Sequence, residues 1–312
     1  MNESDARDAL LLRAYESARD TPDSVWSDAD RAWATRAAHA VEGESSSDEA
    51  FIARRARLGA ERIAQRERTA ARVLSLLSWR PWLGQMLLPL AFMLGIASDL
   101  IGASQRIALL APPLLGLLAW NLGVYLFGGV LIFLRSSGRD PQPLRPIGAM
   151  LIRLSHGVAS QRVLARLGGP IKQFATSWTQ VSAPLAQARA ARILHACAAL
   201  LAGGMMLSLY VRGLVLEYRV GWESTFLDAG MVHALLSLVL GPAARITGLP
   251  LPDLAGIQAL RLPASDGASA ASWIHLYAVT VLLFVIVPRS LMALWSGWQV
   301  RRLQASFPLP LD

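Results

Sequence analysis

The chain has 312 residues, of which 54% are hydrophobic, and a formal net charge of +8 at neutral pH. Its single cysteine excludes an intramolecular disulfide and a zinc cluster held by several thiolates. The basic excess lies outside the apolar stretches, in the segments before, between and after them. That distribution is typical of topogenic charge and of contact with the bilayer's anionic lipid head groups, so we expect no nucleic-acid partner.

Residues 1–82 are predicted to form a cytoplasmic helical region. Ser27 and Asp30 have the spacing of a capping box, in which a hydroxyl and a carboxylate three residues later satisfy free amides of the first helical turn. Residues 49–78 intersperse arginines with apolar residues and predict one long basic helix. This helix either approaches a membrane surface or partner helices, or it is a solvated helix that leads into the first span. Because the acidic N-terminus has no apolar signal-peptide core, we expect the first span to act as an internal signal-anchor.

Four apolar stretches are predicted to span a membrane, because a hydrocarbon core of about 30 Å needs roughly 20 apolar residues in a helix. The stretches are 83–103 and 111–134, which form a transmembrane hairpin, and then 193–213 and 273–295. A helical segment, 135–192, connects the hairpin to the third span, and a tail, 296–312, follows the fourth. Small residues in the third span, including Ala199 and Gly203, indicate close packing between helices.

The arginines predict the orientation of these spans. The N-terminal region, the 135–192 segment and the C-terminal end together hold 25 of the 30 basic residues. The positive-inside rule therefore places these three segments and both termini in the cytoplasm. The count includes Arg289, close to the end of the fourth span, whose side chain is expected to extend to the inner interface. Residues 214–272 are then periplasmic.

Within this periplasmic segment, residues 226–240 predict an apolar helix. Fifteen residues are short for a span, so we expect a re-entrant or interfacial helix. A fifth span here would place Arg301 and Arg302 outside, against the charge rule. The predicted fold is therefore all-α: an integral membrane protein with four transmembrane helices, a cytoplasmic helical N-terminal region and a short outer helix.

Asn121 lies near the middle of the second span, where a polar side chain is costly. It could line a pore or a substrate path. Hydrogen bonding between helices, which fixes their packing, is the favoured interpretation.

The periplasmic segment contains the densest group of polar residues. Glu223, Asp228 and His233 could contribute to a metal site or a proton relay, but their spacing matches no ligand motif, and we expect no metal and no cofactor. The favoured interpretation is structural, with Thr225 capping the following helix and Asp228 at the reciprocal position. The candidate functional or packing residues are Asn121, Arg212, Glu217, Trp222, Glu223, Ser224, Thr225, Asp228 and His233.

Enzyme signatures are missing from the sequence. It contains no phosphate-binding GxxxxGK[ST] loop, no GxSxG elbow, no HExxH and no CxxC. We therefore expect a protein that is not an enzyme. A membrane enzyme using Glu223 and His233 is the weakest of the hypotheses.

Three strings carry a resemblance: Gly116–Tyr125, Tyr210–Arg219 and, above all, Gly221–Leu227, which reads Gly-Trp-Glu-Ser-Thr-Phe-Leu. They resemble an uncharacterised proteobacterial inner-membrane family, a domain of unknown function. The resemblance runs from about Leu11 to the Phe-Pro-Leu-Pro-Leu-Asp ending and supplies no catalytic residues. Genes of that family often neighbour one for a predicted GTPase, so the resemblance implies a partner more than an activity.

We expect an inner-membrane scaffold or receptor that recruits a soluble cytoplasmic partner, with a GTPase as the candidate, and that forms homo-oligomers. The alternative is a homo-oligomeric channel or transporter assembled around Asn121. A pore would place a polar stripe along a span, whereas polar residues in these spans are scattered.

Overall fold

The computed structural model describes residues 1–18, 25–43, 47–79, 81–98, 106–110, 112–137, 167, 169–305 and 307. Most of the predicted cytoplasmic segment before Gly169, and the end of the predicted first span after Ser98, lie outside the described residues. In chain order the elements are α1 (Glu3–Ser17), α2 (Asp28–Glu42), α3 (Asp48–Arg66), α4 (Arg68–Leu77), α5 (Pro81–Ser98), β1 (Arg106–Ala108), α6 (Pro112–Ser136), α7 (Gly169–Val215), β2 (Arg219–Gly221), α8 (Ala229–Thr247), α9 (Leu254–Ala259), β3 (Ala268–Ser269), α10 (Ala271–Val281), a π-helical turn (Leu282–Ile286) and α11 (Val287–Ala305). The protein is mostly helical.

The chain divides into two compact units. Unit 1 consists of Met1–Arg80, Pro143–Arg192 and Trp295–Asp312, and unit 2 consists of Pro81–Gln142 and Ile193–Leu294. The long helices α7 and α11 each contribute residues to both units.

Unit 1 has its own hydrophobic core, formed by the apolar faces of α1, α3, α4 and the first half of α7. Leu11, Ile63 and Phe174 are completely buried within it. Phe307, near the C-terminus, stacks on Trp178 of α7 with a distance of 5.4 Å between ring centroids. The two ends of the chain therefore belong to the same core.

Local signals explain the helix boundaries in unit 1. The capping box predicted at Ser27 and Asp30 is confirmed. The prediction of one helix over residues 49–78 was wrong, because α3 and α4 are separated at Glu67, which has an extended backbone with φ −123° and ψ 102°. The Glu67 carboxylate accepts a hydrogen bond from the Tyr15 hydroxyl of α1, so the break contributes to the packing of this unit.

Most of the arginines of α3 pair with acidic residues of α1 and α2. Arg57 contacts Asp5 at 2.8 Å, and Arg55 contacts Glu16 at 2.5 Å. These ion pairs stabilise unit 1. Arginines of α3 that are paired in this way are less available to bind an external partner.

Asp30 collects the largest number of these contacts. Its carboxylate, which is only 4% exposed, accepts two hydrogen bonds from Arg66, at 2.6 and 3.0 Å. Arg62 contributes an ion pair at 3.0 Å, and the Ser27 amide and hydroxyl also donate to it. The hydrogen bonds from Arg66 and from Ser27 hold the pKa of Asp30 well below its ordinary value.

Three helical stretches are long and apolar enough to cross a membrane: Gly169–Val215, Ala229–Thr247 and Ala271–Ala305. The first and last contain the predicted third and fourth spans. The other is the outer helix, which begins and ends later than predicted and has 19 residues rather than 15. In α5 and α6 the described apolar stretches are shorter, Gly84–Ser98 and Leu115–Val130. The length and composition of the three long helices indicate a membrane protein.

A small three-stranded sheet joins two separate parts of unit 2. β1 pairs in parallel with β2, and β2 pairs in antiparallel with β3. After β1, the Leu109 amide donates to the Gly221 carbonyl at 2.8 Å, and the buried Tyr277 hydroxyl donates to the Leu109 carbonyl at 2.5 Å. Glycine is required at position 267, because its φ is +75° and a Cβ would lie 2.5 Å from the Val220 carbonyl oxygen.

α5 and α7 cross with their backbones in contact. A Cβ added at Gly95 would lie 2.2 Å from the Leu201 carbonyl oxygen, and one added at Gly204 would lie 2.3 Å from that of Phe92. Small residues permit this close approach. In a lipid bilayer no hydrophobic effect drives helices together, so van der Waals contact between closely packed helices has to stabilise them instead.

Candidate functional site

Trp222, within the Gly221–Leu227 string, anchors the segment 214–272, which the sequence predicts to be periplasmic. Its side chain is completely buried, and its indole N–H donates to the Ile257 carbonyl at 2.7 Å. The Arg261 guanidinium lies 5.3 Å from the indole ring. At Gly221 a Cβ would lie 2.8 Å from Leu262, so the first two residues of the string have packing roles.

The capping predicted for Thr225 was wrong. α8 begins at Ala229, and Asp228 is its N-cap, with a carboxylate oxygen that accepts from the Met231 amide at 2.7 Å. Ser224 instead makes the preceding turn, because its hydroxyl accepts from the amides of Phe226 and Leu227. Thr225 is exposed.

The other predicted residues of this segment do not converge on one site. Glu217 is exposed and lies 3.9 Å from Arg219, whereas Glu223 is exposed with no ion pair to a described residue. Arg212 lies 5.9 Å from the Tyr218 ring, and His233 is half-buried on α8. Within the described ranges, no group of three or more His, Cys, Asp or Glu side chains is arranged to hold a metal ion.

Asn121 lies at the centre of a different cluster, formed by the apolar helices. It is 2% exposed on α6, and its amide oxygen accepts a 2.6 Å hydrogen bond from Nε of Arg289 on α11. The Asn121 amide nitrogen donates to the Leu117 carbonyl one turn earlier, so the oxygen is free to face Arg289. The expectation that Arg289 extends to the interface was wrong, because its side chain is only 5% exposed.

Two further side chains complete this arginine cluster of Arg289, Asn121, His195 and Tyr125. Nη1 of Arg289 lies 3.0 Å from Nδ1 of His195 on α7. Because arginine can only donate, Nδ1 must accept, and the proton of the neutral imidazole is then on Nε2. The Arg289 guanidinium also lies 5.3 Å from the ring centroid of Tyr125, a cation–π distance.

A π-helical turn leads into Arg289, and Pro288 explains it. Proline has no N–H and its ring clashes with the carbonyl four residues earlier, which here is that of Phe284. The helix widens, so the Val287 amide donates to the Leu282 carbonyl five residues back. The Phe284 carbonyl accepts instead from the Tyr125 hydroxyl at 3.0 Å. Such turns are frequent at functional sites.

The arginine cluster carries a positive charge without a balancing carboxylate. Among the described residues, no Asp or Glu lies within 4 Å of the Arg289 guanidinium. Arg289 lies six residues, or roughly 9 Å along a helix, before Trp295. Tryptophan side chains are enriched at membrane interfaces, so Arg289 is expected to lie at about this depth below one. Sequence reasoning singled out Asn121 but missed its partners, because polar residues on three separate stretches have no common periodicity. The available signal was a single arginine in an otherwise uncharged span.

The sequence model of one protein family, described as "Protein of unknown function (DUF2868)", matches residues 149–312. That is more than half of the chain. The chain belongs to this family. The DUF2868 match contains His195 and Arg289, and it contains the segment 214–272 with Trp222, whereas Asn121 and Tyr125 precede it. No curated protein and no solved structure matches the chain significantly.

Proposed function

We propose that this protein is a multi-pass scaffold or receptor of the bacterial inner membrane that recruits a soluble cytoplasmic partner. The observation that carries the proposal is the composition of unit 1. The N-terminal region, the first half of α7 and the C-terminal end share one hydrophobic core. These are the segments that the arginine excess assigns to the cytoplasm. A folded unit outside the spans offers a surface on which a soluble protein can dock.

The proposed topology has four spans and cytoplasmic termini. The Met1 carbonyl accepts a hydrogen bond from the Phe307 amide at 3.1 Å, and Glu3 pairs with Arg189 of α7 at 2.5 Å. These contacts support a topology in which both termini and the first half of α7 lie on one side of the membrane. Such a topology has an even number of crossings before the first half of α7 and an even number after that half. Spans at 83–103 and 111–134, and then at 193–213 and 273–295, satisfy both conditions.

The outer helix α8 is proposed to be re-entrant or interfacial, although it is long enough to cross. β2 precedes it and β3 follows it, and the pairing of these strands supports a chain that returns to the side that it left. A crossing by α8 would need a second crossing before β3. The stretch between the two strands is described in full, and its other helix, α9, has only six residues.

The proposed docking surface is the exposed side of α4. Ala70, Val73 and Leu77 bury the opposite side of this helix in unit 1. Arg68 and Arg72, one turn apart, are exposed and make no ion pair with a described residue. They form a small basic face suited to an acidic patch on a protein or to anionic lipid head groups. The resemblance makes a GTPase the candidate partner, and its nucleotide state could then bias the contact.

The test is in-cell crosslinking of the tagged full-length protein, purification in mild detergent and mass spectrometry with GTP or GDP present. The key variant is Arg68→Glu with Arg72→Glu, which reverses the basic face without touching the buried side of α4. Arg245→Glu, at an exposed arginine of unit 2, is the matched control. We expect a stoichiometric soluble partner with the wild type and the control, and at least a tenfold lower recovery with the double variant.

Recovery of self-crosslinks alone would contradict the recruitment proposal. It would favour the alternative, a homo-oligomeric channel or transporter, and flux measurements in liposomes would follow. That alternative has less support, because Asn121 is buried inside a single chain and is already bonded to Arg289. An oligomeric pore around Asn121 would need this side chain to face another copy.

A further inference from the structure

The arginine cluster contains more donors and more positive charge than its own residues use. A guanidinium has five N–H groups. Nε of Arg289 donates to Asn121 and Nη1 donates to His195, and the guanidinium also contacts the Tyr125 side chain, which leaves N–H groups to spare. Asn121 is uncharged, and His195 accepts through Nδ1 as a neutral ring. The cluster therefore keeps one net positive charge among apolar helices.

A buried cation without a counter-ion is costly, and in spans such groups generally mark a functional site. Hydrogen bonds that Arg289 donates to two neutral acceptors, together with its contact with one aromatic ring, offset only part of that cost. The remaining positive charge and the spare N–H groups are what one bound oxyanion needs. The planar guanidinium can donate two parallel hydrogen bonds to two oxygens of a carboxylate or phosphate.

From this geometry we infer that Arg289, held in position by Asn121 and His195, is the binding residue for a single carboxylate or phosphate group inside the helical bundle. This site is independent of partner recruitment by unit 1. Two sources carry this chemistry: the head group of an anionic lipid, and a soluble anion. Basic positions between helices on the cytoplasmic side are suited to lipid phosphates, and Arg289 lies about two helical turns before the interfacial Trp295.

Two substitutions test the site in different ways. Asn121→Asp places a carboxylate where the amide oxygen contacts Nε at 2.6 Å, so it supplies an internal counter-ion of nearly the same size and loses the donation to the Leu117 carbonyl. Arg289→Gln removes the charge and keeps an amide that can bond to Asn121. Arg245→Gln, at an exposed arginine of α8, is the control. Because Asn121→Asp is expected to leave the fold intact, loss of binding in this variant would not reflect unfolding.

The measurement is the thermal unfolding midpoint of the full-length protein together with native mass spectrometry of the bound species. One arm adds inorganic phosphate in detergent, and the other compares nanodiscs of phosphatidylglycerol with nanodiscs of phosphatidylcholine. We expect one probe to stabilise the wild type and Arg245→Gln. Both site variants should bind that probe at least tenfold more weakly, which corresponds to a loss of about 1.4 kcal/mol in binding free energy. A response to phosphate identifies a soluble anion, and a response to phosphatidylglycerol alone identifies a lipid head group. The inference is overturned if neither probe acts on the wild type, or if Asn121→Asp responds as the wild type does.

Discussion

Gly203 and Gly204 are neighbours in α7, but an added methyl group would meet different surroundings at each. At Gly204 the new Cβ would lie 2.3 Å from the Phe92 carbonyl oxygen and 3.2 Å from Gly95 Cα, so the two backbones would have to separate. At Gly203 nothing lies within 4 Å. The sequence indicates small-residue packing in this span, but only the crossing geometry shows which glycine is in contact.

We therefore expect Gly204→Ala to destabilise the protein by about 1–3 kcal/mol, because overpacking at a close contact forces the helices apart. Gly203→Ala should be neutral or slightly stabilising, by up to about 1 kcal/mol, because alanine has the higher helix propensity. Thermal unfolding of both variants in one detergent would measure the difference. Equal midpoints would show that α5 and α7 do not cross here.

Asp30 gives a prediction with a defined pH dependence. Its pKa is lowered mainly by the hydrogen bonds from Arg66, so the folded state favours the charged carboxylate. Stability from a depressed carboxyl pKa is present above the unfolded pKa of about 3.9 and is lost as the pH falls through the folded value. Asp30→Asn should cost about 2 kcal/mol at pH 7, as expected for hydrogen bonds to a charged group.

The matched control is Asp28→Asn, in the same first turn but exposed. Resistance of unit 1 to limited proteolysis and to urea would be followed from pH 8 to pH 3. The gap between the wild type and Asp30→Asn should hold down to about pH 5 and narrow below pH 4. A gap that widened at low pH would contradict the assigned direction of the shift.

At the scale of elements, the predictable features are those encoded within a few residues. The capping box at Ser27 and Asp30, the apolar stretch of α7 and the apolar stretch from α10 into α11 follow from local patterns. The interruption at Glu67 does not, because it depends on Tyr15, more than fifty residues earlier. The arginine cluster forms only when particular faces of α6, α7 and α11 turn towards one another. Because these helices are apolar on most sides, the sequence of each one alone does not show which face is buried.

The π-helical turn allows a direct test of the relation between Pro288 and Tyr125. Removing the hydroxyl in Tyr125→Phe should cost about 1 kcal/mol, within the range measured for hydrogen bonds between membrane helices. In a Pro288→Ala background the cost should fall towards zero, because the new amide can donate to the Phe284 carbonyl instead. The double-mutant cycle, measured by thermal unfolding, isolates this interaction energy. Additive effects would show that the hydroxyl does not compensate for the missing proline donor.

At the scale of the whole molecule, the contacts between distant segments restrict the topology more than the apolar stretches do. Hydropathy alone leaves α8 as a candidate span, since it is 19 residues long. The pairing of β2 with β3, and the contact of Phe307 with Met1, support the proposal that the chain returns to its starting side. The arginine distribution then supplies the orientation, which no contact within the chain can specify.

This topology predicts the labelling of single cysteines by an impermeant maleimide on intact cells, after the native Cys197 is replaced by alanine. Glu223→Cys precedes α8 and Ala264→Cys follows it, and both positions are exposed. We expect both to react from outside, because a re-entrant or interfacial α8 leaves its two ends in the periplasm. Ser137→Cys, exposed at the end of α6, should react only after the cells are permeabilised. Protection of Ala264→Cys together with labelling of Glu223→Cys would mean that α8 crosses the membrane, and the four-span proposal would fall.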